Sequence, residues 1–196
     1  MEKPDLKSAR RITRRDAIWI IPAIISTGFF GWFVWRGWRI NFGKAEVGEP
    51  VWHDGARAAA ARVSELPNVW SKKYFQYPLE GGAQLEAVIF KLPSAVLGSL
   101  EHAGGHYFAL SRICTHQGCL VNYVDNPELG SIAYNYRTDH PFMGCPCHFG
   151  AYEPLLSGRA VYGPPRYGLS RLRLEADGDN LIVTGHETPL RLGHSS

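Results

Sequence analysis

The sequence predicts a mainly β protein, an antiparallel β domain preceded by one N-terminal transmembrane helix. Three observations carry this expectation. From Ala17 to Trp35 the chain runs 19 residues without a charge. Beyond Pro67 it breaks into short β-branched and aromatic runs punctuated by Gly and Pro. No run past Pro67 keeps a helical period over three turns.

The elements follow in order. Residues 1–16 form a basic N-terminal segment carrying Lys3, Lys7, Arg10, Arg11, Arg14 and Arg15. Residues 17–38 form the anchor, since 19 uncharged residues in a helix reach about 28 Å, the thickness of a bilayer's hydrocarbon core. A secretory signal ends its shorter apolar run in a small-residue cleavage site, whereas this run ends in Trp-Phe-Val-Trp-Arg-Gly-Trp-Arg, so an uncleaved span is expected. Trp32, Trp35 and Trp38 with Arg36 and Arg39 suit an interfacial belt among membrane lipid, and Pro22 sits early enough to be tolerated. The excess of cations ahead of the span keeps the N-terminus cytoplasmic and the rest of the chain on the outer, periplasmic side of a bacterial cytoplasmic membrane. Thr13-Arg14-Arg15 resembles a twin-arginine export signal in part; the pair serves either that route or topology alone.

Residues 39–66 are expected to be a tether or hinge, flexible over 41–50, with a short surface helix over 55–66 built on Ala56 and Ala58 to Ala61. The β domain proper is placed at 67–185, with strand candidates at Ala87 to Phe90, Tyr107 to Leu110, Ile132 to Tyr136 and Leu181 to Val183. The polar tail 186–196 is expected to fray.

Charge narrows the function. Residues 1–40 hold 8 of the 21 basic and 3 of the 18 acidic side chains, leaving 13 and 15 for the body, so no nucleic-acid face is expected there. No phosphate loop, nucleophile elbow or paired carboxylates support a nucleotide or hydrolase reading.

All four Cys fall in two boxes: Cys114-Thr115-His116-Gln117-Gly118-Cys119 and Cys145-Pro146-Cys147-His148-Phe149-Gly150. Each sits in a loop at a strand end, and the two loops can converge. Cys114, His116, Cys145 and His148 would supply two thiolates and two imidazoles, a set suited to zinc or to a [2Fe-2S] centre with His on one iron. His140 is set aside as a ligand because the boxes already supply four, and His53, His102, His106, His186 and His194 have no partner at ligand spacing.

The two boxes resemble those of the Rieske iron-sulfur family, in the branch found in quinol-oxidising cytochrome bc complexes. The resemblance implies a Rieske-type antiparallel β-sandwich with a cluster-binding subdomain holding one [2Fe-2S] cluster. It implies that Cys114 and Cys145 bind one iron, that His116 and His148 bind the other, and that Cys119 pairs with Cys147. It further implies that Gly163-Pro164-Pro165 is the loop packed against the cluster and that Tyr152 tunes it. His148 is then the contact to quinol, with His116 as the second exposed ligand, and both take part in proton-coupled electron transfer.

By the same resemblance the chain is the electron-transfer subunit of a quinol:cytochrome c oxidoreductase in a respiratory chain. It would work beside a cytochrome b subunit and a c-type cytochrome in a dimeric complex. Three departures matter. Gly150 stands where high-potential members have Ser, which favours a lower potential and menaquinol. Gln117 replaces the usual Leu at the docking tip. The 25 residues from Leu120 to Gly144 make a long insertion, read as a surface hairpin. The alternative is the Rieske small subunit of a periplasmic molybdenum oxidoreductase such as arsenite oxidase, with the anchor arguing against it. A ring-hydroxylating oxygenase component fits less well, and a structural zinc domain would need the boxes to arise by chance.

Overall fold

A computed structural model describes residues 13–193. The cationic cluster at Lys3 to Arg11 and the final residues from His194 lie outside the described residues. The chain divides into two units, residues 1–39 and 40–196.

In the first unit, helix α1 runs Arg14–Phe42, extending the expected 17–38 at both ends. It starts on a reciprocal cap: Thr13 N–H donates to the Asp16 carboxylate at 3.0 Å, and Asp16 N–H donates to Thr13 Oγ1 at 3.2 Å. From Arg14 to Arg39 the helix is long and apolar enough to cross a membrane. Arg36 lies over the Trp32 ring at 5.5 Å and Arg39 over Trp35 at 5.0 Å, one helical turn apart in each case.

The second unit is built from two antiparallel sheets. Its strands are β1 Trp52–Arg62, β2 Lys72–Pro78, β3 Gln84–Leu92, β4 Leu100–His102, β5 Gly105–Ser111, β6 Asn122–Val124, β7 Phe142–Cys145, β8 Gly150–Glu153, β9 Arg159–Tyr162, β10 Arg171–Asp177 and β11 Asn180–Glu187. The large sheet has the order β1-β11-β10-β5-β3-β2, with β4 paired to β5, and the small one β6-β7-β8-β9.

The strands β3 and β5 explain why two of the predicted runs carry apolar residues without alternation. Leu85, Ala87 and Ile89 of β3, with Tyr107 and Ala109 of β5, face a first core shared with Leu66, Tyr77, Leu172, Leu181 and Val183. The intervening Val88, Phe90 and Leu92, with Phe108 and Leu110, face a second core that includes Val121, Met143, Tyr152 and both Cys114 and Cys145. Side chains alternate across a strand, so these two strands are buried on both faces and bear the core that contains Cys114 and Cys145 on the second.

Five expectations need correction. The Ala-rich stretch at 55–66 is strand, not helix: β1 pairs with β11, Ala59 opposite Ile182 and Ala61 opposite Leu181, and Ala60 and Ala61 are buried in the first core. Sheet pairing and burial outweigh alanine's helix preference. The β domain therefore reaches back past residue 67, and the free part of the 39–66 tether shrinks. Residues 44–48 are held on the domain as well, with Ala45 N–H donating to Arg166 O at 2.8 Å and Gly48 O accepting from Arg171 Nη2 at 2.9 Å.

The 120–144 insertion is a hairpin only in part. Its ends β6 and β7 pair, but helix α2, Pro127–Tyr134, stands between them. Asn126 caps it by accepting Leu129 N–H at 3.0 Å, Pro127 occupies its first turn, and Asn135 ends it in the left-handed region. Ile132 to Tyr134 are thus helix rather than strand, and Tyr134 packs edge-on to Phe142 in a third small core. The described part of the C-terminal segment is held on the domain: Leu190 packs on the first core and Arg191 N–H donates to Ser170 Oγ at 2.9 Å. A Cβ at Gly193 would lie 2.3 Å from Gly118 N, so this segment passes box one at backbone contact.

Candidate metal centre

Box one follows β5 through a short bridge, Ile113 opposite Leu120, and closes on itself. Cys114 N–H donates to Cys119 O at 2.8 Å and Gly118 N–H to Cys114 O at 2.9 Å. Box two is the turn of the β7–β8 hairpin, with Cys145 the last residue of β7 and paired to Gly150, the first of β8. The spacing of each box is therefore set by backbone hydrogen bonding, one in a closed turn and one in a hairpin.

The two boxes face each other. Cys119 and Cys147 form a disulfide across them, Cα to Cα 6.6 Å. Cys114 and Cys145 are free and buried, 2% and 1% exposed. Hydrogen bonding from Cys145 holds the Cys114 thiol down to about 5 against its burial, with Tyr152 assisting, while the same contact and burial push Cys145 up. Each of these two side chains is the other's hydrogen-bonding partner, so the two sulfurs sit side by side in the interior.

His116 and His148 lie at the rim. Their rings are 5.0 Å apart at 82°, with His116 half-buried and His148 exposed. The donors therefore separate into a buried thiol pair and a rim imidazole pair. The sulfurs of Cys119, Cys145 and Cys147 also lie within 4.8 Å of one another, but two of them are taken up by the disulfide, so that trio is not a ligand set.

Tyr152, on β8, reaches the interior. Its Oη is 3.1 Å from Cys114 Sγ and accepts Thr115 N–H at 3.2 Å. Burial first, then the Cys114 charge, push its phenol well above the usual tyrosine range, so it stays protonated and donates toward sulfur. Thr115 adds a donor bond to Tyr167 O at 2.8 Å.

The segment Gly163-Pro164-Pro165 lies against box two. Gly163 has φ +81, and a Cβ there would stand 2.8 Å from Gly150 Cα. A Cβ at Gly150 would stand 2.6 Å from Pro165 Cγ. Gly150 thus does more than lack a hydroxyl: it lets the proline segment close over the hairpin, and Ser at this position would force that segment away.

Sequence reasoning missed the supporting residues Thr115 and Tyr167, which no spacing rule marks. It also missed Glu153, which is buried, accepts from Tyr136 Oη at 2.8 Å and lies 3.7 Å from His140 Nδ1. His140 stacks on Trp70 at 5.2 Å. It is thus engaged away from the boxes. Among the other histidines, His53 and His186 stack on each other as cross-strand neighbours at 5.2 Å, and His102 Nε2 meets Gly178 O at 2.8 Å.

The sequence profile of the Rieske [2Fe-2S] domain matches residues 60–173, more than half of the chain. The chain belongs to the Rieske [2Fe-2S] family. A Rieske domain carries a [2Fe-2S] cluster, and the donors present here, two buried thiols and two rim imidazoles under a protonated tyrosine, fit one.

Similar Rieske proteins include the cytochrome b6-f complex iron-sulfur subunit of Chlorobaculum thiosulfatiphilum, 35% identical over 81 residues, 41% of this chain and 36% of that one. A putative respiratory nitrate reductase Rieske subunit of Haloferax mediterranei is 35% identical over 86 residues, 43% of this chain and 33% of that one. The cytochrome bc1 complex Rieske subunit of Corynebacterium diphtheriae is 32% identical over 79 residues, 40% of this chain and 16% of that one. The chain thus spans about a third or less of the length of these relatives. The soluble domain of the Rieske protein II from Sulfolobus acidocaldarius shares the fold at TM-score 0.51 and 20% identity, covering 69% of this chain and 80% of that one.

Proposed function

We propose that this Rieske protein is the membrane-anchored electron-transfer subunit of a quinol-oxidising cytochrome bc-type complex. It would take one electron and a coupled proton from quinol and pass the electron to a c-type cytochrome. The carrying observation is the separation of donors, thiols inside and imidazoles at the rim, in a chain whose described residues include a helix long and apolar enough to cross a membrane.

Cys114 and Cys145 would hold one iron and His116 and His148 the other. When bound, the cluster supplies one-electron redox chemistry at a potential raised by its two neutral His ligands. The chain's own groups do the rest. His148, exposed at the tip, accepts a hydrogen bond from the quinol hydroxyl and takes its proton, and His116 is the second site for a proton. Tyr152 and the Pro164-Pro165 segment keep the thiol side dry while the imidazole side meets substrate. Gly150 leaves out a hydroxyl that would otherwise hydrogen-bond toward sulfur, which favours menaquinol over higher-potential quinols. The helix would sit in a bacterial cytoplasmic membrane with its N-terminus inside, and export would use the twin-arginine route or the general one. A cytochrome b subunit beside it, in a dimeric complex, completes the reading.

The Haloferax relative favours a second reading, in which the electron goes to a different terminal oxidoreductase. Purification from native membranes separates the two by whether a c-type cytochrome or another reductase accompanies the chain. The quinol reading itself is tested by an EPR-monitored redox titration in membranes. The potential should fall by about 59 mV per pH unit above the pKa of an imidazole in the oxidised protein, one proton per electron. A pH-independent potential from pH 6 to 10 would contradict it.

A further inference from the structure

Lys44 stands two residues beyond the end of α1, and its side chain is half-buried on the β domain. Its ammonium donates to the carbonyls of Gly163 and, at 2.9 Å, Pro165. The next residue continues the contact, Ala45 N–H donating to Arg166 O at 2.8 Å. Two consecutive neck residues therefore hold three carbonyls of the segment that covers box two. Further along the neck Gly48 O accepts from Arg171, a buried guanidinium fixed by Glu187 at 2.8 Å, whereas Glu46 meets Arg159 at 2.6 Å with its side chain in solvent, a contact of little weight.

The covering segment has no slack on its other side. Gly163 and Pro165 lie on Gly150 so closely that neither glycine admits a Cβ. A contact chain thus runs from the neck through Lys44 to Gly163 and Pro165, and on to Gly150 and its strand partner Cys145. A half-buried lysine loses hydration; here that burial pulls its pKa down to about 8, a cost offset by charge-assisted bonds to the carbonyls.

We propose that Lys44 is a positioning residue that latches the neck to the 163–166 loop and so holds that loop over the cluster-binding hairpin. The cluster role rests on the assignment of Cys145 and the proline segment above; the latch itself does not. Residues 44–48 therefore belong structurally to the β domain rather than to a free connector.

The test uses the full chain in detergent, with Lys44→Met, which keeps the aliphatic stem, Lys44→Arg, which keeps a cation and its donors, and Glu46→Gln as a neighbouring neck control. Hydrogen exchange is read in metal-free and loaded protein, and cluster loss to a chelator is followed by absorbance. Lys44→Met, which removes both charge-assisted bonds, should exchange at least about tenfold faster at Ala45 and in the 163–167 peptide and should lose its cluster faster. Lys44→Arg should return both toward wild type, while Glu46→Gln leaves both near wild type. Unchanged exchange in Lys44→Met, a change matched by Glu46→Gln, or faster exchange with unaltered cluster loss would each overturn the proposal. A wild-type chain without a Rieske EPR signal would instead count against the cluster assignment, while exchange in the metal-free protein still reads the latch.

Discussion

The two sheets of the β domain are held by different means. The large sheet closes on a mainly aliphatic core supplied by long paired strands, from Ala60 and Ala61 through Leu85, Ala87 and Ile89 to Leu181 and Val183, with Tyr77 and Tyr107 buried among them. The small sheet has strands of three or four residues and carries Cys145 and Tyr152; box one packs against it, adding the second free buried thiol, Cys114, and a disulfide between the boxes. Hydrophobic burial can hold the first unaided, whereas the second depends on cross-links and on the metal its thiols would bind. Stability and redox chemistry are thereby placed on opposite faces of the same two strands, β3 and β5.

Substitutions that strike one face and spare the other test this division. The largest effect is expected for Cys145→Ser, which should abolish the Rieske EPR signal completely while the far-ultraviolet circular dichroism of the large sheet persists. Ile89→Ala should do the reverse, lowering unfolding free energy by about 2–5 kcal/mol in denaturant titration with the cluster potential unmoved. Removing the cross-link with Cys119→Ser and Cys147→Ser together should cost about 2–4 kcal/mol, confined to the small sheet and visible as faster proteolysis of the box loops. Tyr152→Phe removes one hydrogen bond toward sulfur, about 1–1.5 kcal/mol, and should lower the potential by roughly 40–60 mV without loss of the cluster. The smallest change belongs to Asn126→Ala, where loss of the α2 cap should cost about 1 kcal/mol and leave the EPR spectrum alone.

The same division explains what the sequence made legible. The boxes could be read because each packs its chemistry within six residues, and closed turns and hairpins preserve that spacing in space. Ala87 to Phe90 and Tyr107 to Leu110 could be read as strands because burial on both faces leaves an unbroken apolar run. The Ala58 to Ala61 stretch could not, since alanine favours helix locally and only pairing with β11, some 120 residues away, makes it strand. Ile132 to Tyr134 misled in the opposite direction, because a capped two-turn helix anchored by Tyr134 needs few residues of helical period. Lys44 carried no signal at all. Its partners are carbonyls 119 and 121 residues along the chain, and no side-chain pattern encodes them.

The central claim is that one cluster is held by the inner thiols and the rim imidazoles together. Pulsed EPR on reduced protein grown with nitrogen-15 histidine tests it most directly. The account predicts two strongly coupled histidine nitrogens, both lost in His116→Ala and in His148→Ala as the cluster fails to assemble, and both retained in His140→Ala. A spectrum with no strongly coupled histidine nitrogen, or one that loses a coupling in His140→Ala, would contradict it.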